Sequence, residues 1–193
     1  MALFIAMNHF QVDLERGAEF EAHWRQRETY LAEVPGFGWR GWAPGDTSGV
    51  APVTVTGDDL PVLGNGLVTV AVAADGTFAL DGHAGLGRLV DGGDCGDTYN
   101  WCPPTADTLV DRPDHVDVSV VERGPARARV AITARHRWPA RRVGLARRSD
   151  ATVEHEVRTV VELRAGEGAA RVEVRLDNAA RDHRLRAHFP LPG

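Results

Sequence analysis

Apolar and polar residues alternate with a period of two through most of the chain after residue 37. The alternation is clearest in six segments, at residues 68–72, 116–120, 130–132, 153–163, 172–176 and 185–189. Such alternation indicates strands with one buried and one solvated face. Asp75-Gly76 predicts a tight hairpin turn between two of these strands. Strands of this kind, joined by Gly, Pro and Asp turns, predict an antiparallel β-sandwich.

The first 37 residues have a different pattern. Residues 3–12 are apolar and predict a strand, whereas Phe20, Trp24, Leu31 and Val34 recur at the spacing of one helix face. Pro35-Gly36 ends this helix, because proline disfavours α geometry in the residue before it. The pattern therefore predicts a strand-helix unit at residues 1–37 and a separate, mainly β unit at residues 38–193.

Composition narrows the class of protein without identifying it. The chain has 193 residues, of which 43% are hydrophobic and 25% charged, as in globular proteins. Its net charge of -5 weighs against nucleic acid as a partner. The apolar start at residues 2–7 is short and lacks a basic lead-in, so we expect a cytoplasmic chain with no membrane partner. Cys95 and Cys102 could form a disulfide, but free thiols are expected in that compartment.

Four stretches of the β-rich part resemble a known family. They are GWRGWAP (38–44), GNGLVTV (64–70), GGDCGDTYNWCPP (92–104) and DNAARDHRLR (177–186). In this order they resemble the C-terminal β-sandwich region of glycoside hydrolase family 38 α-mannosidases. The resemblance spans residues 38–193 and implies a galactose-mutarotase-like antiparallel sandwich, which we expect to be incomplete because the last residues resemble the middle of the family's sandwich.

The resemblance also implies where catalysis occurs in the family. An N-terminal α/β barrel carries an Asp nucleophile, an acid/base carboxylate and a divalent cation, usually zinc. None of the barrel's motifs occurs in this sequence, so we expect neither a cofactor nor a catalytic residue in this chain. No pair of carboxylates with the spacing of a retaining glycosidase can be named from the strand pattern.

One loop carries the candidate substrate-binding residues. By the resemblance, Tyr99 matches a Tyr that reaches from the sandwich to the bound sugar, with Asp97 and Asn100 beside it. A phenol can hydrogen-bond a sugar hydroxyl or a carboxylate. In the alternative interpretation, Tyr99 caps the sandwich core and Trp101 packs beneath it.

Residues 1–37 resemble a second family. The stretch FIAMN (4–8) and the helix that ends at PGF (35–37) resemble the opening of antibiotic-biosynthesis-monooxygenase domains of the haem-degrading type. The resemblance implies a partial ferredoxin-like βα unit in which Asn8 matches a residue that contacts haem or bound oxygen. The family's later strands and its axial His have no counterpart after Phe37. Alternatively, Asn8 is an ordinary strand residue.

Other polar groups allow weaker hypotheses. Asp91, Asp94 and Asp97 could bind calcium, or they could form Asx turns, which the spacing favours. His183 and His188, with Asp182, could suggest a metal site, but a five-residue offset places the two His on opposite faces of a strand. An arginine run around Trp138 is expected to be a solvated hairpin; its members are Arg135, Arg137, Arg141, Arg142, Arg147 and Arg148. Trp39 and Trp42 could stack on a sugar, or anchor the sandwich edge.

The resemblance to family 38 implies a fragment of an α-mannosidase, a glycosidase with roles in carbohydrate binding and mannose metabolism. Because the barrel's motifs are missing, we expect this chain to be inactive alone. Its expected partner is an α-mannoside or another oligosaccharide. Exposed sheet edges would also favour self-association. Two alternatives remain open from the sequence, a haem-binding monooxygenase based on residues 1–37 and a carbohydrate-binding module that does not cleave its ligand.

Overall fold

The computed structural model describes residues 49–97 and 99–190, which belong to one compact unit, Ser48–Gly193. These residues contain strands and no helix. The strands are β1 (Thr54–Thr56), β2 (Val62–Gly64), β3 (Thr69–Val72), β4 (Phe78–Leu80), β5 (His83–Leu86), β6 (Arg88–Gly93), β7 (His115–Arg123), β8 (Arg127–Pro139), β9 (Arg142–Val143), β10 (Arg147–Arg148), β11 (Thr152–Arg164), β12 (Ala170–Leu176) and β13 (His183–His188). The predicted antiparallel β fold is confirmed. No helix in this part of the chain has the length and hydropathy of a membrane span.

Two larger sheets form the layers of the sandwich. The first has five strands in the order β1-β2-β3-β4-β5, so each strand pairs with its neighbour in sequence. The second has the order β12-β11-β8-β7. Its two longest strands, β8 and β11, have 13 residues each and pair along their whole length. Two further antiparallel pairs, β6 with β13 and β9 with β10, complete the described structure.

The apolar core lies between the two larger sheets. The five-stranded sheet and the segments flanking its strands contribute Val53, Leu63, Val68, Val70, Val72, Phe78 and Leu86, and the four-stranded sheet contributes Ala128, Val130, Ile132, Val161 and Leu163. On β11, Val157, Val161 and Leu163 are buried, whereas Glu154, Glu156 and Arg158 are exposed. The predicted alternation is confirmed for these six residues, whereas Val160 on the opposite face is also buried and Val153, Glu162 and Arg164 are only half-buried.

A buried asparagine joins the two layers. The Asn65 side chain donates from Nδ2 to the backbone oxygens of Arg164 and Glu167, at 2.7 Å each. Its Oδ1 accepts from the backbone N–H groups of Leu67 at 3.0 Å and Val68 at 2.8 Å. All its bonding capacity is used, which offsets the cost of burying an amide. This side chain fixes the β2–β3 turn against the β11–β12 turn.

The predicted hairpin at Asp75-Gly76 is confirmed between β3 and β4. The backbone N–H of Gly76 donates to the oxygen of Ala73 at 3.1 Å, and the N–H of Ala73 donates to the oxygen of Thr77 at 2.8 Å. Gly76 has a φ of 81°, in the left-handed region that favours glycine. The Thr77 hydroxyl donates to the Asp75 carboxylate and holds the pKa of that carboxyl below its usual value.

Two predicted strands form without burying the apolar face that the pattern suggested. On β12, Val172 and Val174 are 38% and 41% exposed. On β13, Ala187 is exposed, as is Phe189 just after the strand, although both were expected to face a core. Period-two alternation identifies the strand correctly, but an edge strand can have an apolar face with nothing packed on it.

Several predictions fall outside the described residues. These are the strand-helix unit at residues 1–37 with Asn8, the boundary at residue 37, and the roles of Trp39 and Trp42. They stay predictions.

Candidate functional site

The three predicted substrate-binding residues lie on the connection between β6 and β7. The backbone closes this loop on itself, since the N–H of Cys95 donates to the oxygen of Cys102 at 2.7 Å. The Asp94 carboxylate accepts from the backbone N–H of Gly96 at 2.8 Å and of Cys102 at 3.1 Å. Both cysteines are free thiols. Residues 94–97 and 99–102 therefore lie in a closed loop, which we call the Tyr99 loop.

Asp97 shapes the tip of the Tyr99 loop. Its carboxylate accepts from the backbone N–H groups of Tyr99 at 2.8 Å and Asn100 at 2.7 Å. These two bonds hold the pKa of the Asp97 carboxyl below its usual value. The Asn100 amide also donates to the same carboxylate at 3.3 Å. Asp94 and Asp97 thus form the Asx turns that were weighed against a calcium site.

Tyr99 points away from the protein. Its exposed fraction is 92%, so it does not cap the sandwich core, and that alternative interpretation is wrong. Asn100 is exposed as well. The structure brings Tyr99, Asp97 and Asn100 together on one loop tip, with Asp97 holding the backbone of the other two.

Glycine is required in the Tyr99 loop, at Gly96, and just before it, at Gly93. A Cβ at Gly96 would lie 1.7 Å from the backbone oxygen of Asn100. A Cβ at Gly93 would lie 2.6 Å from the Pro104 ring. Neither distance is compatible with a side chain, so the Gly-rich sequence of this stretch has a steric cause.

Trp101 attaches the Tyr99 loop to β13. Its indole N–H donates to the backbone oxygen of Gly93 at 3.3 Å. The Arg184 guanidinium lies 4.8 Å from the ring centroid, and that of Arg186 lies 5.9 Å away. Such cation–π contacts contribute about 0.5–1 kcal/mol each at exposed sites. Trp101 thereby joins two of the sequence stretches, 92–104 and 177–186, that are far apart along the chain.

Beneath the loop, three ionisable side chains meet in the interior. Asp91 is fully buried and forms an ion pair with the guanidinium of Arg148 through one oxygen. Its other oxygen bonds Nδ1 of His183. Arg148 also donates to the backbone oxygen of Thr108 at 3.1 Å. We call Asp91, Arg148 and His183 the charged cluster.

The charged cluster corrects two sequence predictions. Asp91 forms neither a turn nor part of a metal site, because both of its oxygens bond buried partners. Arg148 is not a solvated member of the arginine run, since its side chain is buried with Asp91. The prediction of solvation fits Arg135 and Arg137, whose half-exposed side chains pair with Glu156 and Glu154 on the neighbouring strand.

A fully buried tryptophan packs against the charged cluster. Trp138 stacks on His155 with ring centroids 4.3 Å apart, and lies 5.8 Å from the ring of His183. His155 is fixed by a bond from Nδ1 to the Val153 oxygen and by a bond that Nε2 accepts from the N–H of Ala179, both at 3.1 Å. His136, 5.4 Å from Trp138, is also buried, and burial lowers its pKa.

The histidines raised as metal ligands have other surroundings. His183 bonds Asp91 and Asn178, His188 is exposed at the end of β13, and Asp182 pairs with Arg142 at 3.6 Å. Within residues 49–97 and 99–190, no group of three or more His, Cys, Asp or Glu side chains is placed to hold a metal ion.

No protein-family model matches the sequence, and no curated protein matches it. Solved structures do match. The chain is similar to an α-mannosidase from Enterococcus faecalis V583, with a TM-score of 0.60 and 21% identity over 65% of this chain and 17% of that one. It is also similar to a glycosyl hydrolase family 38 protein from Enterococcus faecalis, with a TM-score of 0.61 and 20% identity over 78% of this chain and 20% of that one.

At these identities the likeness shows a shared fold. The predicted fold class is confirmed, because the described sandwich has the fold of part of these glycosidase structures. The chain spans no more than a fifth of the length of either structure. Neither structure supports the monooxygenase resemblance of residues 1–37.

Proposed function

We propose that the described sandwich is the sandwich region of an α-mannosidase, and that its Tyr99 loop contacts the α-mannoside. The observation that carries this proposal is the 92% exposure of Tyr99 on a loop whose backbone is fixed from within. A large side chain held in solvent by an ordered loop is typical of a contact residue. The sequence resemblance and the fold shared with α-mannosidase structures support the same proposal.

The chemistry of the loop suits a sugar. The Tyr99 hydroxyl can donate one hydrogen bond and accept two, as sugar hydroxyls require. The half-exposed Trp101 ring offers an apolar surface for a pyranose beside the cation of Arg184. Because Asp94 and Asp97 already fix the backbone, little further ordering is needed on binding.

We propose that this chain does not cleave the sugar. A retaining glycosidase requires two carboxyl groups roughly 5–5.5 Å apart across the scissile bond. The carboxylates around the Tyr99 loop are engaged elsewhere, since Asp91 is buried with two partners and Asp94 and Asp97 accept backbone N–H groups. In this proposal, a separate catalytic domain of the α-mannosidase type provides the nucleophile, the acid/base group and the zinc or other divalent cation.

Hydrolysis is tested by incubating the full chain with an aryl α-mannoside and zinc. We expect no release of the aryl group above the rate without protein. Turnover that rises in proportion to protein concentration, and is lost on chelation, would contradict the proposal that catalysis lies elsewhere.

Sugar contact is tested by titrating the full chain with methyl α-mannoside, followed by NMR line shape or calorimetry. Tyr99→Phe removes one hydrogen-bonding group and should weaken binding about two- to tenfold, as expected for one net hydrogen bond. Leu67→Ala is the matched control, because Leu67 is also exposed, at 62%, but lies on the β2–β3 turn. Equal affinities for Tyr99→Phe and the unmodified chain, or no binding at all, would argue against a sugar contact at this loop.

A further inference from the structure

Strand β12 is an edge strand with an exposed apolar face. Among the described residues it pairs with β11 and with no other strand, so one side of its backbone is open. Val172 and Val174 on its apolar face are partly exposed. Its other face has alternating charge, with Arg171, Glu173 and Arg175. An open edge of this kind is a template for pairing with another strand.

We infer that β12 pairs antiparallel with β12 of a second copy of this chain, about a two-fold axis at Val174. This register places Glu173 opposite Arg175 of the second copy and, where the pairing continues one residue past the end of β12, Arg171 opposite Asp177 of the second copy. Two-fold symmetry repeats both pairs, which gives four opposite-charge pairs on one face. On the apolar face, Val174 lies opposite its own copy and Val172 lies opposite Leu176. Opposite charges placed directly across strands stabilise a sheet.

The neighbouring registers are unfavourable. A shift of two residues in one direction places Glu173 opposite Glu173 and Arg171 opposite Arg175. A shift of two in the other direction places Arg175 opposite Arg175 and Glu173 opposite Asp177. Like charges directly opposite are destabilising. A shift of four in one direction keeps only the two pairs between Arg171 and Glu173, and a shift of four in the other keeps only the two between Arg175 and Asp177. Charge therefore selects one register, and this selection favours a second copy over an unrelated partner.

The expected dimer is weak. In the single chain, Arg175 already forms an ion pair with Glu173, and Arg171 lies 2.9 Å from Glu167. These exposed pairs must be exchanged for intermolecular ones, so the net gain per pair is small. Each copy contributes one strand of seven residues to the interface, which is fewer residues than each partner contributes to most stable interfaces. We expect a monomer at low concentration and a dimer as the concentration rises.

A charge swap tests the register directly. Glu173→Arg places Arg opposite Arg175 at two symmetric positions, and Arg175→Glu places Glu opposite Glu173. Each single variant replaces two attractive cross-strand pairs by two repulsive ones, and should therefore weaken dimerisation roughly tenfold or more. The double variant, Glu173→Arg with Arg175→Glu, restores opposite charges and should dimerise like the unmodified chain. Sedimentation velocity over a concentration series gives the dissociation constant of each.

Glu154→Arg is the matched control. Glu154 is exposed on β11 of the same sheet, so the substitution makes the same change in charge on a different strand. It should leave dimerisation unchanged. A chain that stays monomeric throughout the series, or a double variant that does not recover, would overturn the inference.

Hydrogen exchange distinguishes the other occupants of this edge. If the second copy covers β12, protection of its outward amides should rise with protein concentration and fall in Glu173→Arg. Protection that is independent of concentration would show that another segment of the same chain covers the strand, and would also overturn the inference.

Discussion

The two interior regions of this protein are held together in opposite ways. Between the two larger sheets, the core is made of aliphatic side chains and Phe78. Next to β6 and β13, the interior contains a carboxylate, a guanidinium and an imidazole, packed on Trp138. In the first region any apolar residue of suitable volume will serve. In the second, the Asp91 carboxylate, the Arg148 guanidinium and the His183 imidazole each bond a particular partner.

The two regions therefore tolerate change differently. Removing apolar atoms from the core leaves a cavity whose cost depends on how far the neighbours relax. Removing one partner from the charged cluster leaves a buried charge without a counter-charge. The resulting loss of stability is larger than the net stabilisation that the intact ion pair provides. The bonds of the charged cluster also position the Tyr99 loop, because Asp91 lies on β6 just before the loop and His183 lies on β13 beneath it.

The largest effect is expected from Asp91→Asn, which keeps the side-chain volume and removes the buried negative charge. Arg148 and His183 would lose their common partner, and we expect the free energy of unfolding to fall by about 3–5 kcal/mol. Urea unfolding followed by tryptophan fluorescence measures this change. Asp182→Asn is the control, because the half-exposed Asp182–Arg142 pair should contribute less than about 1 kcal/mol.

A second substitution separates charge from volume at the same place. Arg148→Met added to Asp91→Asn removes both buried charges and should recover part of the lost free energy. The double variant could instead be less stable than Asp91→Asn alone, by as much as truncation of another buried residue costs. In that case the free energy lost in Asp91→Asn does not come from an unpaired buried charge, and the charged cluster does not differ from the apolar core in this respect.

Leu163→Ala should have the next largest effect. Leu163 is fully buried between the sheets, and its truncation is expected to lower the free energy of unfolding by about 3 kcal/mol. The effect should not depend on salt concentration, unlike that of a charge substitution. A loss below about 1 kcal/mol would show that the two sheets are packed more loosely than the buried side chains indicate.

The core could be predicted from sequence, whereas the charged cluster could not. Val130, Ile132, Val161 and Leu163 follow the period of two that a half-buried strand imposes, so their burial can be inferred from neighbouring residues alone. Asp91 and His183 are 92 positions apart, and each lies in a stretch that is polar in its own right. Only the pairing of β6 with β13 brings them together, and no local pattern encodes that pairing.

The candidate site shows the same division. The Asx turns at Asp94 and Asp97 were among the predictions, since short polar residues beside glycine favour them. The loop's attachment through Trp101 to Arg184 was not predicted, because a cation–π contact between distant segments leaves no periodic signal. The family resemblance predicted that Tyr99 lies on a loop. The exposure of its side chain could be read only from the structure.

The smallest effect is a dependence of stability on pH that the apolar core does not share. Burial lowers the pKa of His136 below its ordinary value of 6.5, although the Asp114 carboxylate partly offsets this. The unfolded chain therefore binds a proton more readily than the folded protein does. The contribution of His136 to the free energy of unfolding is therefore fully present above pH 6.5. It decreases as the pH falls from there toward the pKa of the folded protein, by at most about 1.4 kcal/mol per pH unit.

His136→Gln removes this titration, so the slope of unfolding free energy between about pH 7 and pH 5.5 should become flatter. Leu163→Ala should lower the whole curve and leave its slope unchanged, because an aliphatic side chain binds no proton. Urea unfolding at several pH values compares the three proteins. If His136→Gln keeps the slope of the unmodified chain, the pH dependence of this protein comes from groups outside the interior next to Trp138, and burial of His136 has no bearing on its stability.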